Sequence, residues 1–202
     1  KVSYFEAAGA PSPFTHCWSL AIETQFYLIY PILLLLLSRV FRKRKKRSKV
    51  FASLSALLAV VSMILMAVLY NPNGDPSRVY YGTDTRAFAL LIGALAAIQL
   101  EYRIIKVRLP RKIWALIGSI SLVILTCMMI FISSYSSFLY YGGQVILSVL
   151  TVFVVYAVTV SRGILNKILG HNAFKWIGDR SYSIYLWHYP IIILISGGKK
   201  SA

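Results

Sequence analysis

HCWSLAIETQFYLIYPILLLLL (His16–Leu37) decides how the rest of the chain is read. From Ile29 onward the stretch is at home in hydrocarbon, whereas its first half carries His16, Trp18, Ser19, Glu23, Gln25, Tyr27 and Tyr30. A bilayer core about 30 Å thick takes roughly 20 apolar residues of helix, and this segment is long enough. A polar, ionisable entrance leading into a membrane span is the feature to be explained.

The whole composition points the same way. The chain has 202 residues, 58% of them hydrophobic and 14% charged, with a mean hydropathy of +0.68. A soluble domain carries about 25% charged residues, and here the apolar residues lie in long blocks rather than amphipathic stripes. The spacing predicts an all-α, polytopic transmembrane helical bundle of about six helices, over 18–38, 50–70, 84–101, 112–133, 140–160 and 176–196. The net charge of +16 would point to nucleic acid in a soluble protein. Its bases instead cluster between hydrophobic blocks, which is the positive-inside pattern and implies a lipid bilayer and no nucleic acid as partner.

Segment 39–49 holds eight bases and no acid, 102–112 holds five bases, and 161–175 holds Arg162, Lys167 and Lys175. Segments 71–83 and 134–139 carry one base and one acid between them. Short basic loops stay in the cytoplasm, so both termini are expected on the extracytoplasmic side. Trp and Tyr at the helix boundaries fit an aromatic belt. Gly93 and Ala97, four apart, are expected to be a helix-packing face. Cys17 and Cys127 show neither metal-ligand spacing nor a disulfide framework, and no metal site is expected. The chain begins with Lys1, lacks the basic start and cleavage site of a signal peptide, and is expected to be a piece of a longer protein.

An ionisable residue inside a span costs about 2.5–3.5 kcal/mol on insertion scales and is usually functional. Three constellations qualify. Ser19, Glu23, Tyr27 and Tyr30 follow i, i+4, i+8, i+11 and are expected on one helix face, with His16 one to two turns above Glu23. Asp84 and Arg86 open the third helix, the acid complementing its dipole and the base available to an anionic group. Ser181, Tyr185 and His188 share a face of the last helix, flanked by Trp187. Such groups serve acid–base catalysis, proton-coupled transport or interhelical bonding equally well. A transporter usually shows paired repeats, and none is evident here.

Those same residues resemble a known family. HCWSLAIETQFYLIYP (16–31), TDTRAFALLIGALAA (83–97) and GDRSYSIYLWHYP (178–190) look like the signatures of the acyltransferase 3 family of integral membrane O-acyltransferases, most of all its Gram-positive peptidoglycan members. The resemblance implies that residues 1–202 are the C-terminal part of the family's transmembrane domain, cut at both ends and lacking the helix with the family's catalytic His. It implies a bacterial plasma-membrane, multi-pass enzyme passing an acyl group, commonly acetyl, from cytosolic acyl-CoA to hydroxyls of a surface polysaccharide or peptidoglycan. A proton-coupled exporter is the alternative. On this resemblance Glu23, His16, Arg86 and His188 are the expected catalytic residues, and Trp18, Ser19, Tyr27, Asp84, Ser181, Tyr185 and Trp187 the substrate-binding ones. The basic run at Arg42, Lys43 and Arg44 is expected to guide the phosphates of acetyl-CoA, the donor substrate; no tightly bound cofactor is expected.

Overall fold

The computed structural model describes residues 14–102, 109–133, 136–161 and 163–195. Every regular element among them is helical. A 3-10 turn, Thr15–Cys17, leads into α1 (Trp18–Val40), then α2 (Arg44–Leu69), the short α3 (Ser77–Tyr81), α4 (Thr83–Tyr102) and α5 (Arg111–Phe131). A π turn at Leu139–Gly143 runs into α6 (Gln144–Val160), followed by α7 (Ile164–Leu169) and α8 (Asn172–Ile195). The loop segments 102–112, 134–139 and 161–175 fall partly outside the described residues.

Among the described residues six long helices stand where six were expected, and five of them are long and apolar enough by composition to cross a membrane: α1, α2, α4, α5 and Leu139–Val160. The chain is a multi-pass membrane protein. The exception is α8. It matches the others in length, but Lys175, Asp179 and Arg180 occupy its first half, and its apolar run begins only at Ile184. Helix α2 starts well before residue 50 because Lys and Arg are good helix formers and nothing in RKKRSK interrupts the backbone. Pro31 and Pro190 both lie inside continuous helices.

The core is a seam between α2 and α4. Ser48, Phe51, Ser55, Ala59, Ser62 and Met66 on α2, and Tyr70 just past its end, recur every three or four residues and are all buried. Against them α4 buries Thr85, Phe88, Leu91 and Ile98. Polar members of the seam are satisfied. Ser55 Oγ donates to the Phe51 carbonyl (2.7 Å), which leaves it to accept from the Tyr30 hydroxyl (2.7 Å) and ties α1 to α2. Ser62 Oγ donates to the Asp84 carbonyl (2.6 Å) and accepts from the Phe88 N–H (3.1 Å), so it bridges an i, i+4 pair in the first turn of α4. Tyr70 stacks on Tyr140 at 4.3 Å and reaches Ser137 Oγ at 3.1 Å, fastening the end of α2 to the approach of α6. Just beyond, Gly142 holds φ +142, a conformation that only glycine adopts readily.

A second pair, α5 and α6, closes over Trp114, Gly118, Ser121 and Ala157, with the Trp114 and Tyr156 rings 4.3 Å apart. Gly93 and Ala97 do not pack as expected. They lie on the side of α4 opposite the seam and line a cleft of about 430 Å³ between α4 and α6, with nothing within 4 Å of where a Cβ on Gly93 would stand.

Candidate active site

The entrance of α1 is where the first and last long helices meet. The 3-10 turn buries His16, which is only 5% exposed. Helix α8 reaches it through its C-terminal half: the Tyr185, His188 and Tyr189 rings lie 5.2, 5.1 and 5.2 Å from the imidazole. The Tyr185 hydroxyl donates to the His16 carbonyl (2.6 Å), so its contact with Ser19 Oγ (2.7 Å) has the serine as donor. His188 Nδ1 meets the Tyr185 carbonyl at 2.5 Å. A carbonyl only accepts, so that nitrogen carries a proton.

One atom in this cluster has no partner. His16 Nδ1 is buried and makes no hydrogen bond among the described residues, while Nε2 faces Cys17 Sγ at 3.7 Å. A buried nitrogen left open costs about 1–3 kcal/mol and calls for an explanation. With its proton on Nε2, toward the sulfur, His16 presents a lone pair at Nδ1.

Beside it lies a second cluster. The Arg86 guanidinium sits over the Trp18 ring at 5.3 Å and the Tyr80 ring at 5.1 Å, and Tyr80 and Trp18 pack at 4.7 Å. Asp84 is not directed at Arg86. Its carboxylate is held by both terminal nitrogens of Arg78, at 3.0 and 2.7 Å. Residues two apart on a helix do not face each other, whereas α3 places Arg78 beside the first turn of α4. Gly82 permits the approach: a Cβ there would collide with the Arg78, Asp84 and Thr85 side chains. The carboxylate holds the Arg78 guanidinium above its usual pKa, by hydrogen bonding first and charge second. With side chains 56% and 42% exposed, such a pair contributes about 0–1 kcal/mol to stability.

The sequence-predicted residues divide accordingly. His16, Ser19, Tyr185 and His188 come together, and Trp18 joins Arg86. Glu23 is half-buried two turns along α1, and no described residue pairs with it. Tyr27 is 63% exposed. Steps of four advance 40° around a helix, so Tyr27 has precessed about 80° from Ser19, while the step of eleven returns Tyr30 to within about 20° and delivers it to Ser55. Ser181, in the exposed N-terminal half of α8, donates to the Gly178 carbonyl (2.8 Å), and Trp187, within the C-terminal half, is itself 61% exposed. Arg42 and Lys43 are exposed beyond the opposite end of α1, and Arg44 opens α2. A 23-residue helix is about 35 Å long, which separates the basic connector from His16 by the depth of a bilayer.

Arg78 and Tyr80 were not expected in the site from the sequence, where Tyr80 read only as a boundary aromatic, whereas Tyr189 was expected beside Ser181, Tyr185 and His188. The signal for α3 was present in Asp75-Pro76-Ser77, where Asp75 Oδ1 accepts from both the N–H (3.0 Å) and the hydroxyl (2.7 Å) of Ser77.

Residues 3–201 match the family model described as an acyltransferase domain, Acyl_transf_3. The chain belongs to the acyltransferase 3 family. It is 42% identical over 198 residues to a putative peptidoglycan O-acetyltransferase of Bacillus subtilis, an alignment covering 96% of this chain and 31% of that protein. To a peptidoglycan O-acetyltransferase of Listeria monocytogenes it is 44% identical over 197 residues, again 96% and 31%. A putative O-acetyltransferase of Staphylococcus aureus is 36% identical over 197 residues, covering 96% and 32%. The acyltransferase 3 chain thus spans about a third of the length of these relatives. No solved structure matches it.

Proposed function

We propose that this chain is the part of a membrane O-acyltransferase in which an acyl group, acetyl by analogy with the relatives, is transferred to a hydroxyl of an extracytoplasmic cell-wall glycan, with peptidoglycan as the acceptor and acyl-CoA as the cytosolic donor. The observation that carries this reading is the open Nδ1 of His16. A hydroxyl oxygen attacking an acyl carbon must lose its proton as the new C–O bond forms and the bond to the leaving group breaks. A buried imidazole with an available lone pair can take that proton. Tyr185 and Ser19 fix the turn that carries it, and His188 stands edge-on to it.

Glu23, half-buried and without a partner among the described residues, supplies a second proton-accepting group deeper in α1. The basic connector at Arg42, Lys43 and Arg44 is the landing point for the phosphates of the donor, on the cytoplasmic side by the positive-inside rule. Both ends of the chain then lie toward the extracytoplasmic side of a bacterial plasma membrane, where the acceptor is. The test is acetyl release from the cell wall of bacteria producing the full-length protein with His16→Gln or Glu23→Gln. Acetylation at the wild-type level, with normal amounts of protein in the membrane, would remove either residue from the mechanism.

A further inference from the structure

Within the charged trio on α3 and α4, one cation is left over. Arg78 and Asp84 neutralise each other through two hydrogen bonds, so the cluster's net charge of +1 resides on Arg86. A charge in a candidate span is tolerated when something compensates it. Here no described carboxylate does so, and no described residue accepts from the side-chain N–H groups. Trp18 and Tyr80 supply their ring faces. Rings cover the faces of a guanidinium, whereas its five N–H donors point outward in its plane, in the fork that matches carboxylate and phosphate oxygens. The aromatic cage therefore holds Arg86 in position and leaves its hydrogen-bonding edge open.

We propose that Arg86 binds an oxyanion, a carboxylate or phosphate group of one of the acyl-transfer substrates, and that Arg78 is a positioning residue that keeps this charge effective by neutralising Asp84. The proposal rests on the acyl-transfer reading only for the identity of the substrate. Arg86 shares with His16 the entrance of α1, through Trp18, and lies a bilayer's depth from the basic connector. That placement favours an anionic group on the glycan acceptor over the phosphates of the donor. Without Arg78 the trio sums to zero, and the Asp84 charge, within about one helical turn, opposes any anion approaching Arg86. Removing Asp84 as well restores the balance to +1, and removing Asp84 alone raises it to +2.

The decisive experiment measures binding of N-acetylmuramic acid, of neutral N-acetylglucosamine and of inorganic pyrophosphate to the full-length protein in lipid nanodiscs by calorimetry. Tighter binding of the acidic sugar than of the neutral one assigns the site to an acceptor carboxylate; binding of pyrophosphate alone assigns it to the donor. In either case Arg86→Ala should abolish binding and Arg86→Lys should retain part of it. Arg78→Gln should weaken binding roughly tenfold, the order expected for one unit charge about 10 Å away at an effective dielectric near 20. Asp84→Asn should strengthen it, and the double variant should return to the wild-type value. Both single changes break the same ion pair, so mere damage to the fold would move them in the same direction. That shared direction, an Arg86→Ala protein that binds like wild type, or no binding of either anion to the wild-type protein, overturns the proposal. Labelled acetyl-CoA added to the same nanodiscs separates the two readings: absent acetyl transfer with the binding order intact removes the acyltransferase reading and leaves the anion site.

Discussion

The α2–α4 seam and the α1 entrance carry similar numbers of polar side chains and use them in opposite ways. In the seam each buried hydroxyl singled out above has its partners: Ser55 and Ser62 each donate and accept, and the Thr85 hydroxyl donates to the carbonyls of Val79 (2.8 Å) and Gly82 (3.0 Å). At the entrance no described residue bonds His16 Nδ1 or the in-plane edge of Arg86. In a medium without water to satisfy spare donors and acceptors, a closed polar network holds helices together, and an open one marks where something else must bind. The contrast separates structural from functional polarity without reference to residue type.

The largest expected effect breaks the open side of this comparison. His16→Gln in the full-length protein should lower wall acetylation by about 10²–10⁴-fold, the usual range for loss of a general base, while the amount of protein in the membrane and its thermal unfolding in detergent stay near wild type. A matching loss of stability would make His16 part of the glue instead. Tyr185→Phe removes the bonds to the His16 carbonyl and Ser19 but leaves the ring. A loss of roughly fivefold in kcat with KM unchanged is expected, since about 1 kcal/mol of positioning is given up; a shift in KM alone would contradict it.

Ser62→Ala probes the closed side. It removes the bridge within the first turn of α4 and should cost about 0.6–1.7 kcal/mol, the span measured for interhelical hydrogen bonds in membranes, read as a lower unfolding temperature with little change in acetyl transfer per folded molecule. Should activity fall further than stability, the seam would have a catalytic role that its closed bonding argues against. The smallest effect belongs to Tyr27→Phe. The side chain is 63% exposed, and activity and stability should stay within about twofold and 0.5 kcal/mol of wild type.

Much of the architecture was legible in the chain. Hydropathy placed six long helices, and three motif stretches placed the family. The sixth helix is present as expected over Asn172–Ile195, although Lys175, Asp179 and Arg180 make its first half less apolar than the other five and its apolar run begins only at Ile184. Gly93 and Ala97 show where spacing misled. Their spacing fits close packing, yet the buried side of α4 is the one that bears Thr85, Phe88 and Leu91.

The site was legible as a set of residues and not as an arrangement. His16, Ser19, Tyr185 and His188 were candidates from sequence, but nothing in it states that residues 166 positions apart share a hydrogen bond. Asp84 and Arg86 stand two residues apart in the sequence, and helical geometry turns them apart, so that Asp84 pairs with an arginine from another helix. Sequence by itself determined which segments are helical and apolar, because periodicity and hydropathy are properties of consecutive residues. Only the tertiary structure decided which polar groups are satisfied and which remain open, because a hydrogen bond between helices depends on the distance and direction of groups that the chain keeps far apart.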